Sequence, residues 1–141
     1  MIDAHIHFWD RSRFRYDWLD DEPAVPEHFL PADFDEAAPG TGPVVLVQAD
    51  CTSSAGLDEA RWFDEIAATR PGGAAIVAFA PLESPEISGY LDALTDVPNV
   101  VGVRRLFQSE PGEFFNYPEL GRDLRHESTR FAGWCEWRTS S

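Results

Sequence analysis

A chain of 141 residues is large enough for one hydrophobic core, and its 43% hydrophobic and 13% aromatic content excludes the disordered class. The formal charge is −14, from 25 acidic residues against 11 basic ones, all of them Arg, so a phosphate backbone would be repelled and nucleic acid is not an expected partner. No run approaches the roughly 20 apolar residues of a membrane span, and the opening Met-Ile-Asp-Ala-His lacks the basic flank and apolar core of a signal peptide; a cytoplasmic protein with no membrane partner is the expectation.

In chain order, Ile2–His7 alternates apolar and polar residues and is rich in β-formers, which predicts a first strand. Ala32–Ala38 predicts a short helix. Val44–Gln48 is a continuous apolar run of the buried, parallel type. Leu57–Thr69 places Leu57, Ala60, Arg61, Phe63, Ile66 and Ala67 at helical spacing, with Ser53 and Ser54 as candidate N-caps. Ala74–Ala80, bounded by Pro71-Gly72-Gly73 and Pro81, predicts a third strand. Ser84–Leu94 predicts a helix with Pro85 at its first position and Ile87, Leu91 and Leu94 buried. Val100–Arg104 predicts a fourth strand.

This alternation predicts an α/β fold with a parallel sheet and right-handed crossovers. The later strand starts recur every 26 to 30 residues, the period of a βα unit. An eight-fold barrel takes about 250 residues, so the expected architecture is an incomplete (β/α)8 barrel of about four units, over residues 1–118. Pro118–Arg125 could form one more helix. The segment 119–141 is atypical: HESTRFAGWCEWRTSS, from His126 on, has neither strand alternation nor an amphipathic stripe. It reads as a disordered tail or, in preference, as truncated or frameshifted sequence.

The main chemical signal is Asp3-Ala4-His5-Ile6-His7-Phe8-Trp9-Asp10. Residues two apart on a strand point to one face, so His5 and His7 project together. Two imidazoles at the C-terminal end of a strand can grip one divalent ion, and nitrogen donors suit zinc. In barrels of this kind that end is the active-site mouth. Two polar residues that merely happen to be histidines are the bland alternative. Asp3 would orient an imidazole or pack the barrel bottom. Trp9, Tyr16 and Trp18 lie in a connection of more than 20 residues, from Phe8 to about Pro31, long enough to be functional. They form either a lid or wall over a sugar-like ring, with Trp9 as the substrate contact, or a loop packed on the rim by its own aromatics. Cys51 and Cys135 form no CxxC, and Cys51 has no partner His in sequence reach to make it a nucleophile.

The run Ile2 to Asp10 resembles the opening of the amidohydrolase-related branch of the amidohydrolase superfamily, which includes sugar lactonases such as fuconolactone and rhamnonolactone hydrolases. The similarity continues in Tyr16-Asp17-Trp18-Leu19, Phe29-Leu30-Pro31-Ala32-Asp33-Phe34, Val45-Leu46-Val47-Gln48-Ala49 and Val101-Gly102-Val103-Arg104, in order over roughly residues 1–118. It implies a (β/α)8 barrel that holds a divalent metal, zinc by preference, and hydrolyses esters, lactones or amides with metal-activated water. His5 and His7 would be ligands. Arg104 would contact a carboxylate or lactone oxygen and Gln48 a hydroxyl, both at the same mouth. Arg104 could instead make a surface ion pair, with Arg105 taking its facing, and Gln48 could be a satisfied interior amide.

The family's further ligands and its acid/base Asp follow later strands that are not readable here, and neither His28 nor His126 lies at a strand end. The function that the resemblance implies is metal-dependent hydrolysis of a sugar lactone or similar small cyclic ester. The alternative is a non-catalytic half-barrel that needs a partner chain, with a homo-oligomer formed through exposed sheet edges.

Overall fold

A computed structural model describes residues 2–107. Its elements, in chain order, are β1 (Asp3–Ile6), β2 (Trp9–Asp10), β3 (His28–Phe29), α1 (Pro31–Ala37), β4 (Val44–Val47), α2 (Gly56–Thr69), β5 (Ala74–Phe79), α3 (Ile87–Thr95) and β6 (Val100–Arg104). Strands β1, β4, β5 and β6 form one parallel sheet in the order β1-β4-β5-β6. The α/β class and the four-strand sheet expected from the βα repeat are what the chain forms.

Register explains the core. Ile6 pairs with Leu46, and Leu46 with Ile76, so one apolar row crosses three strands; each of the three is at most 5% exposed. The row packs against Ala60 and Phe63 of α2 and Leu91 and Leu94 of α3, within a single cluster. Fully burying a side chain of this size contributes about 1.5–3 kcal/mol, so this layer carries much of the sheet's attachment to its helices. Alternation then leaves Val45, Val47 and Val77 on the opposite face, the one that a barrel closes around.

The helix starts differ from expectation. Ser53 and Ser54 lie in a one-turn 3-10 segment, Ser53–Ala55, and no side chain caps α2. The turn brings the chain in so tightly that a Cβ on Gly56 would stand 2.5 Å from the Phe79 ring and 2.7 Å from the Tyr90 hydroxyl. Helix α3 begins at Ile87, two residues beyond Pro85. Ser84, pushed out of the helical region by the following proline, closes a turn instead, its Oγ accepting from the Glu86 N–H at 3.2 Å. On α2, Arg61 belongs to the exposed face and pairs with Asp58, while Glu59 and Trp62 are buried.

The long connection after β1 is a built structure. β2 pairs antiparallel with β3, and a 3-10 turn spans Asp17–Asp20. Arg11 bridges Asp20 and Glu27, and Arg15 bridges Asp17 and Asp20. Tyr16 is fully buried, in a second small cluster with Leu19, Ala49 and Cys51. Among the described residues no helix is long and apolar enough to cross a membrane. The boundary expected at residue 118, the helix expected over Pro118–Arg125, and His126 all lie outside the described residues.

Candidate metal centre

β1 ends at Ile6, and His5 and His7, on either side of that end, emerge on one side, as their spacing predicts. Their rings meet edge to face with centroids 4.8 Å apart, and the two Nε2 atoms are 3.0 Å apart. At that separation two nitrogens share a proton or take a common ion, since each ligand nitrogen sits at roughly 2.0–2.1 Å from zinc. The remaining nitrogen of His7 is occupied. Its Nδ1 lies 3.0 Å from the Val47 carbonyl and 3.1 Å from the Gln48 carbonyl, and only an Nδ1–H can donate there. The tautomer is thereby fixed, and the Nε2 lone pair points at His5.

Electrostatics keep that lone pair free. Burial lowers the His7 pKa below its ordinary value, and the charges of His5 and Arg104 lower it further, against the carbonyl bonds that raise it. A neutral imidazole is the form that binds a metal. Arg104 is the last residue of β6, and its charge reaches His7. Arg105 turns the other way: it makes a forked ion pair with Glu83 at 3.0 Å, lies over the Phe79 ring and has a 9% exposed side chain.

Gln48 directly follows β4 and is 1% exposed. Its Oε1 accepts from the Asp50 N–H at 2.6 Å, and its Nε2 is buried with no hydrogen-bond partner among the described residues. Asp50 itself has φ +61°, a strained conformation for a residue other than glycine. Trp9 donates its indole N–H to Pro26 O at 2.9 Å, stacks on Phe29 and meets Trp18 edge-on. It is tied into the loop wall. Asp3 accepts from the His5 backbone N–H at 3.1 Å rather than from an imidazole. His28 lies in β3, opposite Asp10.

Among the described residues no third His, Cys, Asp or Glu joins the His5–His7 pair. The pair suits a divalent ion in donor type, spacing and tautomer, and it supplies two ligands where catalytic zinc keeps three from the protein.

Sequence reasoning missed one group near this mouth. Glu59 on α2 is 1% exposed; its Oε1 accepts from the Tyr16 hydroxyl at 3.2 Å and the Ala49 N–H at 3.3 Å, and the Cys51 thiol faces the carboxyl. Desolvation, the largest influence, pushes its pKa up to about 7. A signal exists in the sequence: residues 59, 63 and 66 share one helical stripe with Phe63 and Ile66 on it.

A parallel βα sheet with a histidine pair at the end of its first strand is the arrangement of part of a (β/α) barrel. The comparisons make this specific: the chain belongs to the amidohydrolase family, whose model matches residues 2–136 and whose members are generally metal-dependent. The structure is similar to amidohydrolase 2 from Bifidobacterium longum subsp. infantis, with a TM-score of 0.66 and 19% identity over 99% of this chain and 51% of that one. It is also similar to an amidohydrolase from Burkholderia multivorans with bound HEPES, at TM-score 0.63 and 24% identity over 91% of this chain and 45% of that one. The chain thus spans about half the length of these structures. No curated protein matches it.

Proposed function

We propose that this chain supplies the metal-holding, N-terminal part of a metal-dependent hydrolase acting on a sugar lactone or similar small cyclic ester. The observation that carries the reading is the 3.0 Å approach of the His5 and His7 Nε2 atoms, with His7 Nδ1 held by two carbonyls. His5 and His7 hold the ion, zinc by preference for nitrogen donors. When bound, such an ion lowers the pKa of a coordinated water and polarises the ester carbonyl. The chain's own residues do the rest at this mouth. The Val47 and Gln48 carbonyls retain the His7 proton on Nδ1. Arg104 offers a two-pronged donor to a carboxylate or lactone oxygen, and Gln48 Nε2 offers a donor to a hydroxyl. Trp9 and Trp18 wall one side.

Two measurements on the full chain test the substrate class. An aldonolactone at millimolar concentration is expected to shift the Gln48 side-chain amide and Arg104 Nε resonances, and Arg104→Ala to abolish the effect; no shift at saturation would end the lactone reading. With zinc added, hydrolysis is expected to stay near the spontaneous rate, because the described residues supply two ligands and no positioned base. Turnover well above that rate, lost in His5→Ala, would show instead that these residues suffice.

A second reading is favoured by the sheet ends. Among the described residues β1 and β6 are the edge strands, and the exposed large hydrophobics among them are Ile2, just before β1, at 68% and Val101 of β6 at 50%. Open edges of this kind recruit further strands. On this reading the chain is a non-catalytic half-barrel that pairs with a second chain, and its mass in solution would be at least twice that of the 15.8 kDa monomer.

A further inference from the structure

Glu59 is not needed to build α2, and keeping a carboxylate out of water is costly: a group at 1% exposure loses its hydration and recovers only what its partners return. Its partners come from two different places, both outside its own helix. Tyr16 belongs to the long first connection, Ala49 and Cys51 follow β4, and Glu59 itself is on α2. All three face the carboxyl as donors, an arrangement that matches an acceptor-only group.

The segment gripped in this way is the one that holds His7. Ala49 directly follows Gln48, whose carbonyl, with that of Val47, accepts the His7 Nδ1–H. The opposite side of the segment is tied down as well: Trp18 Nε1 donates to Ala49 O at 2.8 Å, and the Thr52 N–H donates to Arg15 O at 2.9 Å. Within it Asp50 takes φ +61°. A left-handed non-glycine residue costs of order 1–3 kcal/mol and persists only where its surroundings over-determine it. The Glu59 carboxyl is the buried anchor of those surroundings.

We propose that Glu59 is a positioning residue for the His7 imidazole, acting through the segment after β4 whose carbonyls fix the ring's tautomer. The inference rests on His7 being the functional imidazole, but its consequence is visible without metal or substrate, so the two can fail separately. Glu59 touches neither histidine; it sets the aim of one.

The test is long-range proton–nitrogen correlation spectroscopy of the imidazoles in the metal-free full chain at pH 8. The parent is expected to show His7 as a single Nδ1–H tautomer. Glu59→Met keeps the volume and removes both oxygens, and is expected to lose that pattern. Glu59→Gln, which retains an acceptor oxygen, is expected to keep it, as is Leu94→Ala, which weakens the main core cluster, to which Tyr16, Ala49 and Cys51 do not belong. A folded methionine variant with the parent's His7 spectrum would overturn the proposal. So would loss of the pattern in Leu94→Ala as well, since that would make it a general effect of stability. If the methionine variant does not fold, Glu59→Asp decides: its carboxyl is one methylene short of holding both Oε1 contacts, and a parent-like spectrum in that variant overturns the proposal equally.

Discussion

A buried carboxyl whose pKa rises on folding leaves a signature in stability. Glu59 moves from an ordinary value of 4.5 to about 7 through desolvation, partly opposed by the donors Ala49, Tyr16 and Cys51. The folded chain therefore binds more protons than the unfolded chain between those values, and stability falls as pH rises through that window. The loss is complete above about pH 7 and is on the order of 3 kcal/mol. The neighbours do not cancel it: desolvation first, then Glu59, pushes Tyr16 and Cys51 upward, and desolvation, then Cys51 and Glu59, pushes Tyr90 upward, so all three stay neutral there, while Asp50 adds to the upward push on Glu59. Urea unfolding of the parent and Glu59→Gln at pH 5 and pH 8 should show the variant gaining relative stability at the higher pH. An equal difference at both pH values would mean that Glu59 is not desolvated in the way its burial implies. Taking the difference between the two proteins removes the opposite contribution of His7, whose pKa is lowered.

At the scale of elements, packing overrules helix propensity at one glycine and not at another. Gly56 opens α2 against Phe79 and Tyr90, so Gly56→Ala must move an aromatic ring; it is expected to destabilise by about 1–3 kcal/mol, more than the roughly 1 kcal/mol that alanine gains in a helix. At Gly89 in α3 an added Cβ would meet nothing within 4 Å, and Gly89→Ala is expected to stabilise by about 0.5–1 kcal/mol. Urea midpoints of the two variants check both signs, and a shift in the same direction for both would contradict the account. The same competition decides what is legible in the sequence. Val44–Val47, Ala74–Phe79 and Val100–Arg104 announce themselves because buried parallel strands are apolar on both faces. His5 and His7 are legible from a period of two. The β2–β3 ribbon is not, since two-residue strands carry no periodicity. Tyr16 reads from sequence either as a lid or wall residue or as part of a loop packed on the rim by its own aromatics; it is fully buried against Phe14 and Trp18, and its hydroxyl's partner, a carboxylate 43 residues away, is not legible. Glu59 shares a helical stripe with Phe63 and Ile66, but a charged residue at a core position reads as solvated unless its partners are known.

Across the whole molecule, the parallel sheet brings His7 to the Val47 and Gln48 carbonyls at the end of β4, while among the described residues β1 and β6 are the ends of the sheet. The chain corresponds to 51% and 45% of the two solved amidohydrolases it matches. Two histidines without a third ligand from the described residues should bind a divalent ion more weakly than a complete site, and should bind it all the same. Native mass spectrometry of the full chain in the presence of zinc reads metal content and oligomeric mass together. The account predicts one zinc per chain, lost in both His5→Ala and His7→Ala while the mass of the protein assembly is unchanged. An ion retained in both variants, or no ion bound by the parent at any zinc concentration short of non-specific loading, would contradict it.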